Sequence, residues 1–265
     1  MKIVINADDF GKSPARNQAV IECFKQGWIS SAGIIVTGRY CDAAAEMIDD
    51  SIGWGNIHLH LNFSANLPAE GSDDVPLTEA MRRDSFFSEN GKFKKYRGLP
   101  QNPRYFFKWK EVYDEIEAQY EKFMKLSGGK GDVKHLDCHL WYNLTWPVAY
   151  ALNKFTRQHG IEYVRYWALH HNQKLLNRLI HAISTNAQTR YIPATNIDYF
   201  LSKKELHTQY DTIELYCHPN YKNDVLMDDS PSYIGHKRLP MAQQIESLNK
   251  AVSYDIISWA DLLSK

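Results

Sequence analysis

The chain opens on an apolar, β-prone run over residues 2–8 that ends in two adjacent acids, Asp8 and Asp9, followed by Gly11. A helical pattern follows over residues 13–27, with Ser13-Pro14 as its start signal and Gly27 as its stop. The same rhythm continues with a strand at Ala32–Thr37, a helix at Cys41–Asp50 and a strand at Asn56–Phe63. The clearest helix is Lys110–Ser127, where Val112, Ile116, Tyr120, Phe123 and Met124 recur at helical spacing and Gly128-Gly129 stops it. Beyond it the pattern predicts a strand at Lys134–His139, a helix at Trp146–His159 and a strand at Tyr163–Trp167. A helical stretch at Lys174–Ser184, a strand at Ile213–Cys217, a helix at Met241–Ala251 and a short strand at Ile256–Ser258 complete it. Strands that alternate with helices predict a mostly parallel sheet with crossover helices. Acids and histidines at several strand C-termini make a closed or nearly closed α/β barrel the economical architecture, with its active site at that edge.

Two regions break the rhythm. Residues 64–109 contain Pro and Gly, lack a strong period and hold Phe86, Phe87, Tyr96, Tyr105, Phe106 and Phe107. A loop of this length is usually functional or disordered, and its aromatics argue against plain disorder. It reads as an insertion over the barrel mouth. His218–Arg238, with Asp224, Asp228 and Asp229, reads as a second rim loop. No linker, repeat or low-complexity tract divides the chain, so residues 1–265 read as one catalytic domain.

The candidate chemistry sits at the strand ends. Two neighbouring carboxylates repel, and burial raises that cost unless a cation or donors compensate. A helix cap accounts for one acid and leaves the other, and a divalent metal is the obvious compensator. In Ile57–Phe63 a period of two puts His58, His60 and Asn62 on one face. In His135–His139, Asp137 and His139 share a face. One Asp with two His is a plausible set for a catalytic divalent ion with open positions. A single strand histidine is more often a hydrogen-bonded core residue. The metal reading rests on three sites, each ending an apolar run.

These segments resemble the YdjC-like carbohydrate deacetylases, which include chitooligosaccharide deacetylases. The resemblance is carried by Asn6-Ala7-Asp8-Asp9-Phe10-Gly11, His60-Leu61-Asn62-Phe63, Leu136-Asp137-Cys138-His139 and Cys217-His218-Pro219, which occur in the family's order and span nearly the whole chain. It implies a distorted barrel of about seven strands. It also implies one divalent cation, Mg or Zn foremost, held by Asp9, His60 and His139, with Asp8 as general base. The family's third motif usually reads Asp-Ser-His, with further histidines at alternate positions. Here Cys138 replaces the Ser, and Trp141 and Asn143 stand where those histidines would be. That departure leaves the ligands intact and alters the substrate pocket, where Trp141 stands as a binding candidate.

Other residues admit two readings each. His218 ends a strand where a proton donor to a leaving amine would sit, or it braces a turn. Arg165, inside a short strand, needs a partner; Asp8 or substrate would serve, as would an ion pair elsewhere. Asp137 could orient a ligand imidazole, or make a core hydrogen bond. Asn62 could contact substrate, or satisfy a strand end. His58 could be a further ligand, while His170-His171 read as surface. A Cys217-His218 hydrolase is disfavoured because strand neighbours point apart, and no serine-hydrolase elbow, Walker or dinucleotide glycine pattern is present.

Composition changes the picture little. In 265 residues, 31 basic side chains balance 31 acidic ones, so no electrostatic footprint argues for nucleic acid or membrane. A neutral, small-molecule sugar suits that balance, and seven Trp and sixteen Tyr would serve a sugar site as readily as a core. Four scattered cysteines, the absence of a signal-like start and of any membrane-length apolar run lead to the expectation of a cytoplasmic protein with reduced thiols. Oligomeric state is open, a homodimer included. The resulting expectation is metal-dependent N-deacetylation of an N-acetylglucosamine-containing oligosaccharide. The alternatives are a metal-independent glycoside hydrolase and a carbohydrate-binding or regulatory protein that has lost turnover.

Overall fold

The structure is a computed structural model that describes residues 1–65, 74–83, 87–95, 107–165, 192–231 and 238–263, with the isolated positions 179 and 182. Its strands are β1 (Lys2–Phe10), β2 (Ser31–Ile34), β3 (Ile57–Leu61), β4 (Ser88–Glu89), β5 (Lys92–Phe93) and β6 (Asp132–Cys138). They continue with β7 (Tyr163–Val164), β8 (Ala194–Asn196), β9 (Thr212–Cys217), β10 (Pro219–Lys222), β11 (Val225–Asp228) and β12 (Asp255–Ile256). The main sheet runs β7-β6-β3-β2-β1-β9-β8, with every neighbouring pair parallel. These seven strands curl into an open, distorted barrel, the architecture expected from the sequence. β12 adds in parallel to the first residues of β1, pairing Lys2 with Asp255 and Ile3 with Ile256.

The pleat sorts the side chains of this sheet into two environments. On β1, Ile3, Ile5 and Ala7 join the large apolar core, while Val4 belongs to a separate cluster with Tyr163 and Trp259. On β3, Ile57, Leu59 and Leu61 face that large core; on β6, Leu136 and Cys138 do. The alternate positions are polar and equally buried: Asn6, Asp8, His58, His60, His135 and Asp137. Helices therefore cover an apolar outer face, and the inside of the barrel is filled by ionisable side chains that must satisfy one another.

The first helices are α1 (Pro14–Lys25), α2 (Cys41–Glu46), α3 (Glu79–Arg82), α4 (Trp109–Leu126) and α5 (Trp146–His159). Ser13 caps α1 by accepting from the Arg16 amide at 3.2 Å, and Pro14 begins it. α4 and α5 pack on each other. α5 stops at Gly160, whose φ of +64° is left-handed. At the N-terminal end of the strands, Trp259 stacks on His135 with ring centres 3.8 Å apart, so the Trp259–Leu263 helix closes the barrel floor.

Three departures from the sequence reading have local causes. His218–Arg238 is not a plain rim loop, because β10 and β11 pair as an antiparallel hairpin with Asn223 and Asp224 at positive φ in the turn. β8 and the Ile197–Ser202 helix, capped by Asn196, escape sequence reading because three strand residues carry no period. β12 spans Asp255–Ile256, two residues only. The predicted helix over Lys174–Ser184 lies almost entirely outside the described residues, as do His170 and His171. Residues 66–73, 84–86 and 96–106 of the proposed insertion lie outside them as well. Within its described parts, Phe87 packs on Phe63 and Tyr142, which follow β3 and β6 at the same end as His60 and His139.

Candidate metal centre and active site

In a regular strand Asp8 and Asp9 would point to opposite faces. Two irregularities prevent this. The register between β1 and β2 shifts between Ala7 and Phe10, a bulge, and Asp9 adopts a left-handed φ of +70°. Bulges re-aim side chains beside functional sites, and Asp is among the few non-glycine residues that tolerate this conformation. Both carboxylates consequently come within reach of His60.

Asp9, His60 and His139 form one convergent group, with their ligand atoms all within 4.8 Å of one another. His139 Nδ1 lies 2.8 Å from Asp9 Oδ1, and His60 Nε2 lies 3.6 Å from the same oxygen. His60 Nε2 is buried, and at 3.6 Å no hydrogen bond joins it to Asp9 Oδ1. Buried polar atoms that sit side by side without pairing are arranged for a third partner. A carboxylate oxygen and two imidazole nitrogens are the donor set of a Zn²⁺ or Mg²⁺ site with open positions, so these residues fit a divalent cation. Burial acts to raise the Asp9 pKa, but Lys12 and then His139 outweigh it and hold the carboxyl well below its usual range. Burial, then Lys12, pushes the His139 imidazole down to about 4, which keeps it neutral, as a ligand must be.

The rest of the site holds these groups in place. Asp137 binds His60 Nδ1 through one oxygen and reaches His58 Nε2 at 3.2 Å through the other. A carboxylate on one ring nitrogen fixes the imidazole's orientation and leaves the other nitrogen facing the centre. Burial favours a neutral His60, but Asp137 and Asp8 outweigh it and raise the ring to about 10, so an entering cation displaces a proton there. Gly33 makes the room: a Cβ on it would come within 3.0 Å of both His58 Nε2 and His60 Cβ.

Asp8 is held from the opposite side. Arg165 clamps it through Nη1 to Oδ2 at 2.6 Å and Nη2 to Oδ1 at 3.0 Å, and Asn6 donates to Oδ1 at 2.7 Å. The same guanidinium contacts Asp137 Oδ2 at 2.8 Å and donates to Glu214 from Nε at 2.8 Å. Arg165 therefore joins β7, β1, β6 and β9 across the barrel interior. His218 points its Nε2 to within 3.8 Å of Asp8 Oδ2, while its Nδ1 lies 2.9 Å from Ser230 Oγ. Asp8, Asp9, His60, Asp137, His139, Arg165 and His218 thus gather at one barrel end.

Asn62 lies just beyond β3. Its amide donates to Thr37 Oγ1, Ser64 O and Asp74 Oδ2 at 3.0–3.1 Å, contacts that satisfy a strand end. Asn143 donates to the Arg165 carbonyl at 3.1 Å. The side chain of Trp141 lies outside the described residues. Sequence reading misses three participants. Lys12 Nζ is 3.4 Å from Asp9 Oδ2 and 3.2 Å from His139 Nε2, and Arg16 Nη1 is 3.9 Å from that Asp9 oxygen. Glu214 is the third. A signal did exist for the lysine, which directly follows the acidic motif and Gly11.

Comparison with known proteins bears on the family and the fold. The profile of the family described as YdjC-like protein matches residues 2–250. Carbohydrate deacetylase 2 of Listeria innocua serovar 6a is 27% identical over 249 residues, covering 94% of this chain and 90% of that protein. A carbohydrate deacetylase of Vibrio cholerae serotype O1 is 25% identical over all of this chain and 97% of its own. A solved Enterococcus faecalis V583 protein, described as a putative cellobiose-phosphate cleavage protein, superposes with a TM-score of 0.65 at 20% identity over 98% of both chains, which shows a common fold. Because the profile runs from the first strand into the last long helix, the chain belongs to the YdjC-like protein family.

Proposed function

We propose that this protein is a metal-dependent carbohydrate deacetylase that removes the N-acetyl group of an N-acetylated sugar, with an N-acetylglucosamine-containing oligosaccharide as the substrate class. The observation that carries this reading is the division of labour at β1. Asp9 converges with His60 and His139, whereas Asp8, one residue earlier, is clamped by Arg165 beside His218. Curated relatives aligned over nearly their whole length are named carbohydrate deacetylases, which supports the sugar and the acyl group.

In this reading Asp9, His60 and His139 hold one divalent cation, Mg²⁺ or Zn²⁺ foremost, which when bound polarises the acetamide carbonyl and acidifies water. Asp8 accepts the proton of the attacking water. Arg165 keeps the Asp8 carboxylate oriented and compensates its charge. His218 gives a proton to the departing amine, and acetate and an amino sugar leave. Asp137 fixes the His60 ring.

Acetate release from a panel of N-acetylated sugars, before and after chelation and with Mg²⁺ or Zn²⁺ restored, tests the assignment. Activity should vanish with the metal and return with it. Asp8→Asn should keep metal uptake and slow turnover by roughly two to four orders of magnitude. Hydrolysis of glycosidic bonds that survives chelation would replace this reading with a glycoside hydrolase. Sugar binding without acetate release would replace it with a binding protein.

A further inference from the structure

We infer that Lys12 sets how tightly this centre holds a cation, because its ammonium competes with the metal for His139 and Asp9. The inference rests on the metal reading of Asp9, His60 and His139. Both ring nitrogens of His139 have a close neighbour: Nδ1 faces Asp9 Oδ1 at 2.8 Å and Nε2 faces Lys12 Nζ at 3.2 Å. An ammonium only donates. The nitrogen facing it must accept, and the single proton of the neutral ring then sits on Nδ1, the nitrogen turned toward the Asp9 oxygen of the convergent group. A protonated ring nitrogen has no lone pair for a metal. His139 in contact with Lys12 is therefore in the wrong tautomer to ligate beside Asp9, and switching the tautomer puts an N–H against the ammonium.

Charge acts in the same direction. Once His60 has given up its proton, the ligand set offers one carboxylate and two neutral rings. Against it stand two cations on the far oxygen of Asp9, with Lys12 at 3.4 Å and Arg16 at 3.9 Å. Arg16 is shared with Asp229, which lies 3.6 Å from its other amine and also pairs with Lys222 and Arg238. Lys12 and Asp9 are almost completely buried, so water screens little of this repulsion. A divalent ion enters fully only as the lysine withdraws. The flexible lysine stem makes such a withdrawal feasible, whereas Arg16 is tied at its other end.

The test is calorimetric titration of metal-free protein with Zn²⁺ and, separately, Mn²⁺. Lys12→Met keeps the stem and removes the charge, and should bind each metal about tenfold or more tightly than the wild type. Lys12→Arg keeps the charge and should stay weak. Lys12→Gln serves as a second neutral variant, should Lys12→Met fold poorly by thermal melting. Unchanged or weaker affinity in a folded neutral variant overturns the inference and leaves the metal site standing. No uptake by wild type or any variant overturns the metal site and this inference together.

Discussion

Arg165 is the side chain whose loss should be felt most widely. It is buried and serves three carboxylates at once, Asp8, Asp137 and Glu214. Arg165→Gln removes the guanidinium that these acids share. Breaking a buried ion pair from one side costs about 3–5 kcal/mol, because the remaining charge is left uncompensated. For a chain of this size that corresponds to a melting temperature lowered by roughly 6–20 °C. The loss should depend on pH with a definite sign. Burial acts to raise the Asp137 pKa, but Arg165, then His60 and His58, outweigh it and hold the group well below the carboxylate range. A depressed acid stabilises the fold above its unfolded pKa of about 4, and that contribution fades as pH falls through the folded value. Without Arg165 the contribution is missing, so the deficit is full at neutral pH and shrinks on acidification. Glu214 behaves oppositely: burial raises it despite Arg165. Adding Glu214→Gln to Arg165→Gln should therefore recover part of the stability at neutral pH. Urea unfolding at pH 7.5 and at pH 3, below the unfolded carboxylate pKa of about 4, checks all three points. A deficit below about 1 kcal/mol, or one of equal size at both pH values, would refute the electrostatic account.

Two further substitutions probe the centre. Gly33→Ala places a methyl group 3.0 Å from His58 Nε2 and His60 Cβ; it should shift the His60 ring and weaken metal uptake in a titration, while leaving Asp8 and Arg165 in register. His218→Gln should lower acetate release and remove the basic limb of the pH–rate profile, and an unchanged profile would make His218 a brace for Ser230 and Asp228.

Much of the fold was legible because the barrel strands are buried on both faces and separate two kinds of side chain. The outer positions, such as Leu59 and Leu136, are apolar, and the inner positions, such as His60 and Asp137, are polar. That alternation is visible in sequence as period two, and it marked the strands that bear the candidate ligands. What stayed hidden depends on backbone departures and on pairing across the sheet. The bulge and left-handed Asp9 that turn two neighbouring acids to one mouth leave no trace in residue pattern. Arg165 was marked as needing a partner, but its third acid, Glu214, lies 49 residues away on a strand whose place beside β1 comes from topology. The burial of Lys12 and Arg16 is not written in the residue pattern, because burial of a cation is set by the segments that fold over it.

The barrel floor has a consequence for where this protein can be cut. The family profile ends at residue 250, but the barrel also depends on the segment beyond that point. β12 pairs with the first residues of β1, and the Trp259 indole lies flat on His135. A chain trimmed at residue 250 would lose both, and water would reach the buried imidazoles from below. The segment bearing β12 and Trp259 is thus a stopper for the barrel rather than a dispensable tail.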